Sequence, residues 1–100
     1  MTNEALLQTD TSDGHVLKLV REAMLDVMAE PRARQRVERA TMDTPLDSLG
    51  ADSIMTLEIV SCIEDRTGLL LVDDQLMRQR SVGDVVRYLQ DLLRRGGSGQ

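Results

Sequence analysis

Residues 46–68 read LDSLGADSIMTLEIVSCIEDRTG. A polar loop containing Pro45 and Gly50 gives way at Asp52 to an apolar helical pattern, and Gly68 supplies a C-terminal stop. A helix from Asp52 through Thr67 is therefore expected. With Ile54 set at zero and a turn of 100° per residue, Thr56, Ile59, Val60, Ile63 and Thr67 fall between about 140° and 240°, which is the core side. Ile54, Leu57, Glu58, Ser61 and Asp65 fall on the other side, with Met55 flanking them at about 100°. An ordinary solvated face has little reason to mix exposed isoleucine, methionine and leucine with acids.

Helical spacing extends in both directions from this segment. Asp13 is a plausible N-cap for a first helix, in which Val16, Val20, Ala23, Met24, Val27 and Met28 recur at three and four residues and stop before Pro31. In the final helix, Ser81 and Asp84 resemble a capping box, and Val82, Val85, Val86, Leu89, Leu92 and Leu93 form the stripe. Arg94 and Arg95 suit its C-terminal dipole. Between Glu30 and Ala51 the pattern weakens around Pro31 and Pro45, which predicts a long ordered loop anchored by Leu46 and Leu49, with room for a short helical turn in RARQRVERA. A brief helix or turn is expected from Asp73 to about Gln79. Residues 1–12 read as disordered, 13–95 as the folded domain and 96–100 as a flexible tail.

With 100 residues, one tyrosine and neither Trp nor Phe, the chain can build one small core, aliphatic and methionine-rich. An all-α, four-helix bundle with a long first loop and a short third helix is the expected fold. Cys62 is the single cysteine, so an intramolecular disulfide or a cysteine-based metal site is excluded, and its setting predicts a core thiol. No basic leader precedes an apolar run, and no apolar stretch is long enough to span a membrane. A cytoplasmic monomer is expected.

The net charge of −5 is unevenly spread. From Asp43 to Asp74, eight acids face one base, Arg66, a local balance of −7 (1 − 8), while four arginines cluster in PRARQRVERA. Such an acidic segment repels nucleic acid and attracts a basic protein patch. The arginine cluster reads as a solvated face.

Ser53 is open to three readings. Nucleophilic catalysis requires a base and an orienting acid; the sole histidine, His15, lies at the start of the first helix, and GADSI lacks the G-x-S-x-G elbow. A helix cap fits the local chemistry, since Asp and Ser both cap well. Covalent modification fits as well, because a phosphodiester at a helix N-terminus meets free N–H groups and the positive end of the dipole.

At DSLGADSI the chain resembles the acyl carrier proteins of fatty acid and polyketide synthesis, and the resemblance runs from the first helix to about Leu93. It implies that Ser53 receives 4′-phosphopantetheine from coenzyme A through a phosphopantetheinyl transferase and Mg²⁺, with Asp52 supporting the modification. It further implies that the protein is a carrier and not an enzyme, holding intermediates as thioesters for acyl-loading enzymes, ketosynthases and other acyl-processing partners. Ile54, Met55, Leu57, Glu58, Ser61 and Asp65 would form the recognition face. Departures from the family pattern are Met55 in place of an acid, Thr67 in place of a bulky aromatic and the weakly acidic QLMRQR, and they favour specialised metabolism such as polyketide synthesis. A peptidyl or aminoacyl carrier, which can share the Asp-Ser pair, and a helical interaction domain without an arm are the alternatives. A start at Met1 and a short tail lead to the expectation of a discrete carrier.

Overall fold

The computed structural model describes residues 11–71, 75–76 and 78–95. Four α-helices lie among them: α1 (Asp13–Val27), α2 (Pro31–Glu38), α3 (Ser53–Thr67) and α4 (Val82–Arg94), with a 3₁₀ turn, Leu46–Leu49, between α2 and α3. The expected all-α architecture is the observed one. α1 is central, packing against both α3 and α4, while α2 lies on α1 and on the 3₁₀ turn. Val16, Val20, Ala23, Met24 and Met28 are buried, as the first stripe predicts, and Val27 is half-buried.

The start of α1 differs by one residue from the expectation. Ser12 is the N-cap, accepting a hydrogen bond from the His15 N–H, and Asp13 is the first helical residue. The Asp13 carboxylate instead accepts from Gln90 Nε2 at 2.7 Å, and the same amide donates to the Thr11 carbonyl at 2.8 Å. This explains a buried glutamine on α4. Of the segment 1–12 expected to be disordered, residues 1–10 lie outside the described residues, as does the expected flexible tail, 96–100, whereas Thr11 and Ser12 are tied to α4 and α1.

The long loop of the sequence reading contains a helix. Pro31 starts α2 and does not break it, because the first helical position needs no N–H donor. The Glu30 carboxylate caps the helix by accepting from the Ala33 N–H at 2.9 Å. Ala33, Val37 and Ala40 are buried, a four-and-three spacing diluted in sequence by arginines. Arg34 closes α1, donating to the Leu25 and Met28 carbonyls at 2.6 and 2.9 Å, and Arg21 donates to the Ala40 carbonyl at 3.0 Å. These two arginines hold α2 against α1.

α4 locks the rest of the loop in place. Its first N–H groups, orphaned by helix geometry, are met by loop carbonyls: Val82 donates to Thr44 at 2.9 Å and Gly83 to Met42 at 2.7 Å. A Cβ on Gly83 would lie 2.6 Å from the Met42 oxygen, so glycine is what permits this approach. The expected capping box is present: the Asp84 N–H donates to Ser81 Oγ, and the Ser81 N–H donates to the Asp84 carboxylate. Hydrogen bonds from the Arg80 and Ser81 backbone hold that carboxylate below its ordinary pKa, with burial opposing them. Val82, Val85, Val86, Leu89 and Leu92 are buried, and Leu93 packs against the core half-buried.

Of the short helix or turn expected from Asp73 to about Gln79, residues 73, 74 and 77 lie outside the described residues. Within it, Gln75 and Leu76 are helical and Leu76 is buried. Cys62, expected as a core thiol, is half-buried at the core's edge. Among the described residues no helix is long and apolar enough to cross a membrane.

Candidate functional site

The loop that leads into α3 is anchored before it turns. Leu49 is buried, Leu46 packs against the core, and the Leu46 N–H donates to the Arg80 carbonyl at 2.9 Å. Gly50 then reverses the chain at φ 81°, a conformation that glycine adopts without strain. Two residues later the helix begins.

Asp52, not Ser53, caps α3. Its Oδ1 accepts from the Met55 N–H at 2.8 Å, and its carbonyl accepts from the Thr56 N–H at 2.9 Å and from Thr56 Oγ1 at 2.8 Å. The Met55 N–H, one of the four orphan donors, is thereby satisfied, leaving the N–H groups of Ser53 and Ile54 at the positive end of the helix. Ser53 is exposed, and its hydroxyl has no hydrogen-bond partner among the described residues. The capping role that competed for this serine belongs to its neighbour. A free hydroxyl beside two unpaired N–H donors suits a phosphate ester, since those donors face the ester's anionic oxygens.

The phase of α3 is close to that read from sequence. Ile59, Val60 and Ile63 are buried, and Thr56 and Thr67 are half-buried beside them. Ile54 is 71% exposed and Leu57 45%, and Glu58, Ser61 and Asp65 are exposed. Met55 is the correction: expected to be substantially exposed, it is half-buried and packs against the core. Its 100° offset from Ile54 carries it round toward the buried side, and an unbranched side chain can follow that curve inward.

The other acids of α3 serve the fold. Glu64 accepts from the Leu71 N–H at 2.8 Å, tying down the segment after the helix. Arg66, the lone base of the acidic stretch, pairs with Glu22 at 3.4 Å and with Asp26, both on α1. The Asp26 hydrogen bond raises the guanidinium above its ordinary pKa. Its isolation among acids was the only sign of this clamp in the sequence.

A cavity of about 210 Å³ adjoins the exposed serine. Met24 of α1 and Met28 at its C-cap, Leu49, Ile59 and Ile63 of α3 and Val85 of α4 line it, and Asp52 and Ser53 form part of its wall. An apolar interior thus opens beside a free hydroxyl. Nothing in the sequence announced it, because its walls come from segments far apart in the chain.

Comparison with known proteins agrees with this geometry. Residues 18–89 match the family model described as the phosphopantetheine attachment site. The acyl carrier protein of Exiguobacterium sibiricum is 34% identical over 65 residues, covering 65% of this chain and 82% of that protein. The chain belongs to the acyl carrier protein family. The acyl carrier protein of Clostridium acetobutylicum is 29% identical over 72 residues, covering 72% of this chain and 94% of the relative. That of Helicobacter acinonychis is 40% identical over 43 residues, or 43% and 55% of the two chains. In this family the domain carries a covalently attached phosphopantetheine, and its members act as carriers, not catalysts, working with phosphopantetheinyl transferases and acyl-processing enzymes.

Proposed function

We propose that Ser53 is the attachment point of 4′-phosphopantetheine and that the protein holds biosynthetic intermediates on it. The observation that carries this reading is the exposed, unpartnered Ser53 hydroxyl beside a helix already capped by Asp52. In the attachment step Ser53 Oγ forms a bond to the pantetheine-side phosphorus of coenzyme A, and the diphosphate P–O bond breaks. Adenosine 3′,5′-bisphosphate leaves, and the serine proton passes to a base on the transferase, which uses Mg²⁺. The N–H groups of Ser53 and Ile54 then face the phosphodiester. The bound group supplies a terminal thiol on which acyl groups are carried as thioesters.

Partner enzymes meet the face formed by Ile54, Leu57, Glu58, Ser61 and Asp65, with Met55 filling the space beneath it. Two exposed apolar side chains among acids give a small, wettable patch suited to brief encounters. The cavity beside Ser53 receives part of an apolar acyl chain. Met55 in place of an acid and Thr67 in place of a bulky aromatic support a role in polyketide or related specialised metabolism. Thr67 ties the helix end together, donating to the Ile63 carbonyl at 2.7 Å and accepting from the Leu69 N–H at 3.1 Å.

Intact mass spectrometry after co-expression with a promiscuous transferase tests the assignment. The wild type should gain one phosphopantetheine and Ser53→Ala none. Modification that persists in the variant, or that fails in the wild type with several transferases, removes it.

A further inference from the structure

α2 has two unlike faces. Ala33 and Val37 are buried, whereas Arg32, Gln35, Arg36 and Arg39 are exposed and fall within about 100° of arc at 3.6 residues per turn. These four side chains line a groove of about 240 Å³. Among the described residues the ion pairs belong to Arg66, Arg87 and Arg95, and Arg21 and Arg34 are taken up by backbone carbonyls. Arg32, Arg36 and Arg39 pair with no carboxylate there.

Arg36 in the last turn and Arg39 at the C-cap suit the dipole of α2, but the start of the helix and the spacing of its charges do not. Arg32 sits in the first turn, where the dipole favours anions, and Arg32/Arg36 and Arg36/Arg39 are like-charge neighbours at four and three residues. No ion pair among the described residues offsets that repulsion. The stripe also has a definite place relative to the site, since a Cβ on Gly50 would lie 3.7 Å from Arg36 Nη1. Arg36 therefore abuts the turn that delivers Ser53, while Glu58 and Asp65 lie beyond Ser53 along α3.

We propose that the arginine face of α2 is a docking surface for carboxylates on an acyl-processing enzyme, which together with the acidic face of α3 forms a two-signed footprint around Ser53. This rests on Ser53 carrying the arm. The charge pattern identifies the occupant: a polyanion such as nucleic acid is repelled by the acidic segment alongside, whereas an enzyme with acids facing α2 and bases facing α3 is attracted on both sides. A footprint of two signs also admits one orientation and disfavours a partner that is basic throughout.

The test uses a ketosynthase that binds the wild-type holo protein, with affinity measured at low and high salt. Arg32→Glu/Arg36→Glu/Arg39→Glu should retain its helical circular dichroism and weaken low-salt binding by about tenfold or more, the lower end of electrostatic steering effects. Its salt dependence should flatten. Arg36→Gln, which removes one charge and keeps a good helix former, should lose less, in the same direction. Unchanged or tighter binding by both variants overturns the proposal. Intact mass after transferase treatment separates it from the assignment of Ser53: complete modification of both variants leaves the carrier reading standing whichever way binding falls, and an unmodified wild type counts against that reading instead.

Discussion

Two adjacent polar residues divide the work at the start of α3. Asp52 holds the helix, through the Met55 N–H, and the Ser53 side chain makes no hydrogen bond among the described residues. Their alanine variants should separate cleanly. Asp52→Ala loses a cap and should cost about 0.5–2 kcal/mol of stability, whereas Ser53→Ala should melt like the wild type and accept no phosphopantetheine. Denaturant melts combined with intact mass read both; a Ser53→Ala variant as unstable as Asp52→Ala would return the serine to a structural role. A second carboxylate cap carries a pH signature. Asp84 titrates below the ordinary value of about 3.9, chiefly because the Arg80 and Ser81 N–H groups donate to its charged form. Its contribution is present above the unfolded value and is lost as pH falls through the folded one. The stability gap between wild type and Asp84→Ala should therefore be full at neutral pH and close in strong acid. Urea melts across that range measure it, and a gap independent of pH would mean that the carboxylate's charge does not matter.

At the scale of elements, α3 is where the two-faced reading can be checked. Ile63 is 1% exposed, and truncation of a buried residue of that size costs about 2–5 kcal/mol. Leu57, 45% exposed, should cost far less as alanine, yet Leu57→Ala should be a poorer substrate for the transferase. Comparable losses of stability in both variants would make the proposed recognition face part of the core. The stripes of α1, α3 and α4 were legible because three- and four-residue spacing survives in sequence whatever the tertiary setting. The capping pair Ser81 and Asp84 was legible for the same reason, being local. α2 was missed because four arginines around Ala33 and Val37 mask a two-residue stripe, and because Pro31 reads as a breaker until Glu30 is seen to cap the turn. Met55 was misplaced since helical phase gives an angle, while the depth a flexible side chain reaches is set by its neighbours. Ser53 could be singled out from sequence, but that Asp52 relieves it of capping could not, because both residues suit that role.

At the scale of the whole molecule, the central position of α1 leaves an opening beside Ser53. α3 and α4 both pack on it, Arg66 clamps α3 to it through Glu22 and Asp26, and the cavity beside Ser53 lies where Met24, Met28, Ile59, Ile63 and Val85 converge. The cavity opens at Ser53, so its apolar walls are exposed to water. An apolar chain that enters it covers those walls and itself leaves water, at about 0.8 kcal/mol per methylene buried. A six-carbon acyl group on the arm should accordingly raise the melting temperature by several degrees over an acetyl group on the same arm, since about 1 kcal/mol shifts a domain of this size by 4–8 °C. Ile59→Phe, which fills the cavity from α3, should abolish the difference between the two acyl groups while leaving Ser53 modifiable. Thermal melts of the four species, wild type and variant each with the short and the long chain, decide it. If the wild type melts alike with both, the acyl chain stays outside and the cavity serves no part of the carrier's cargo.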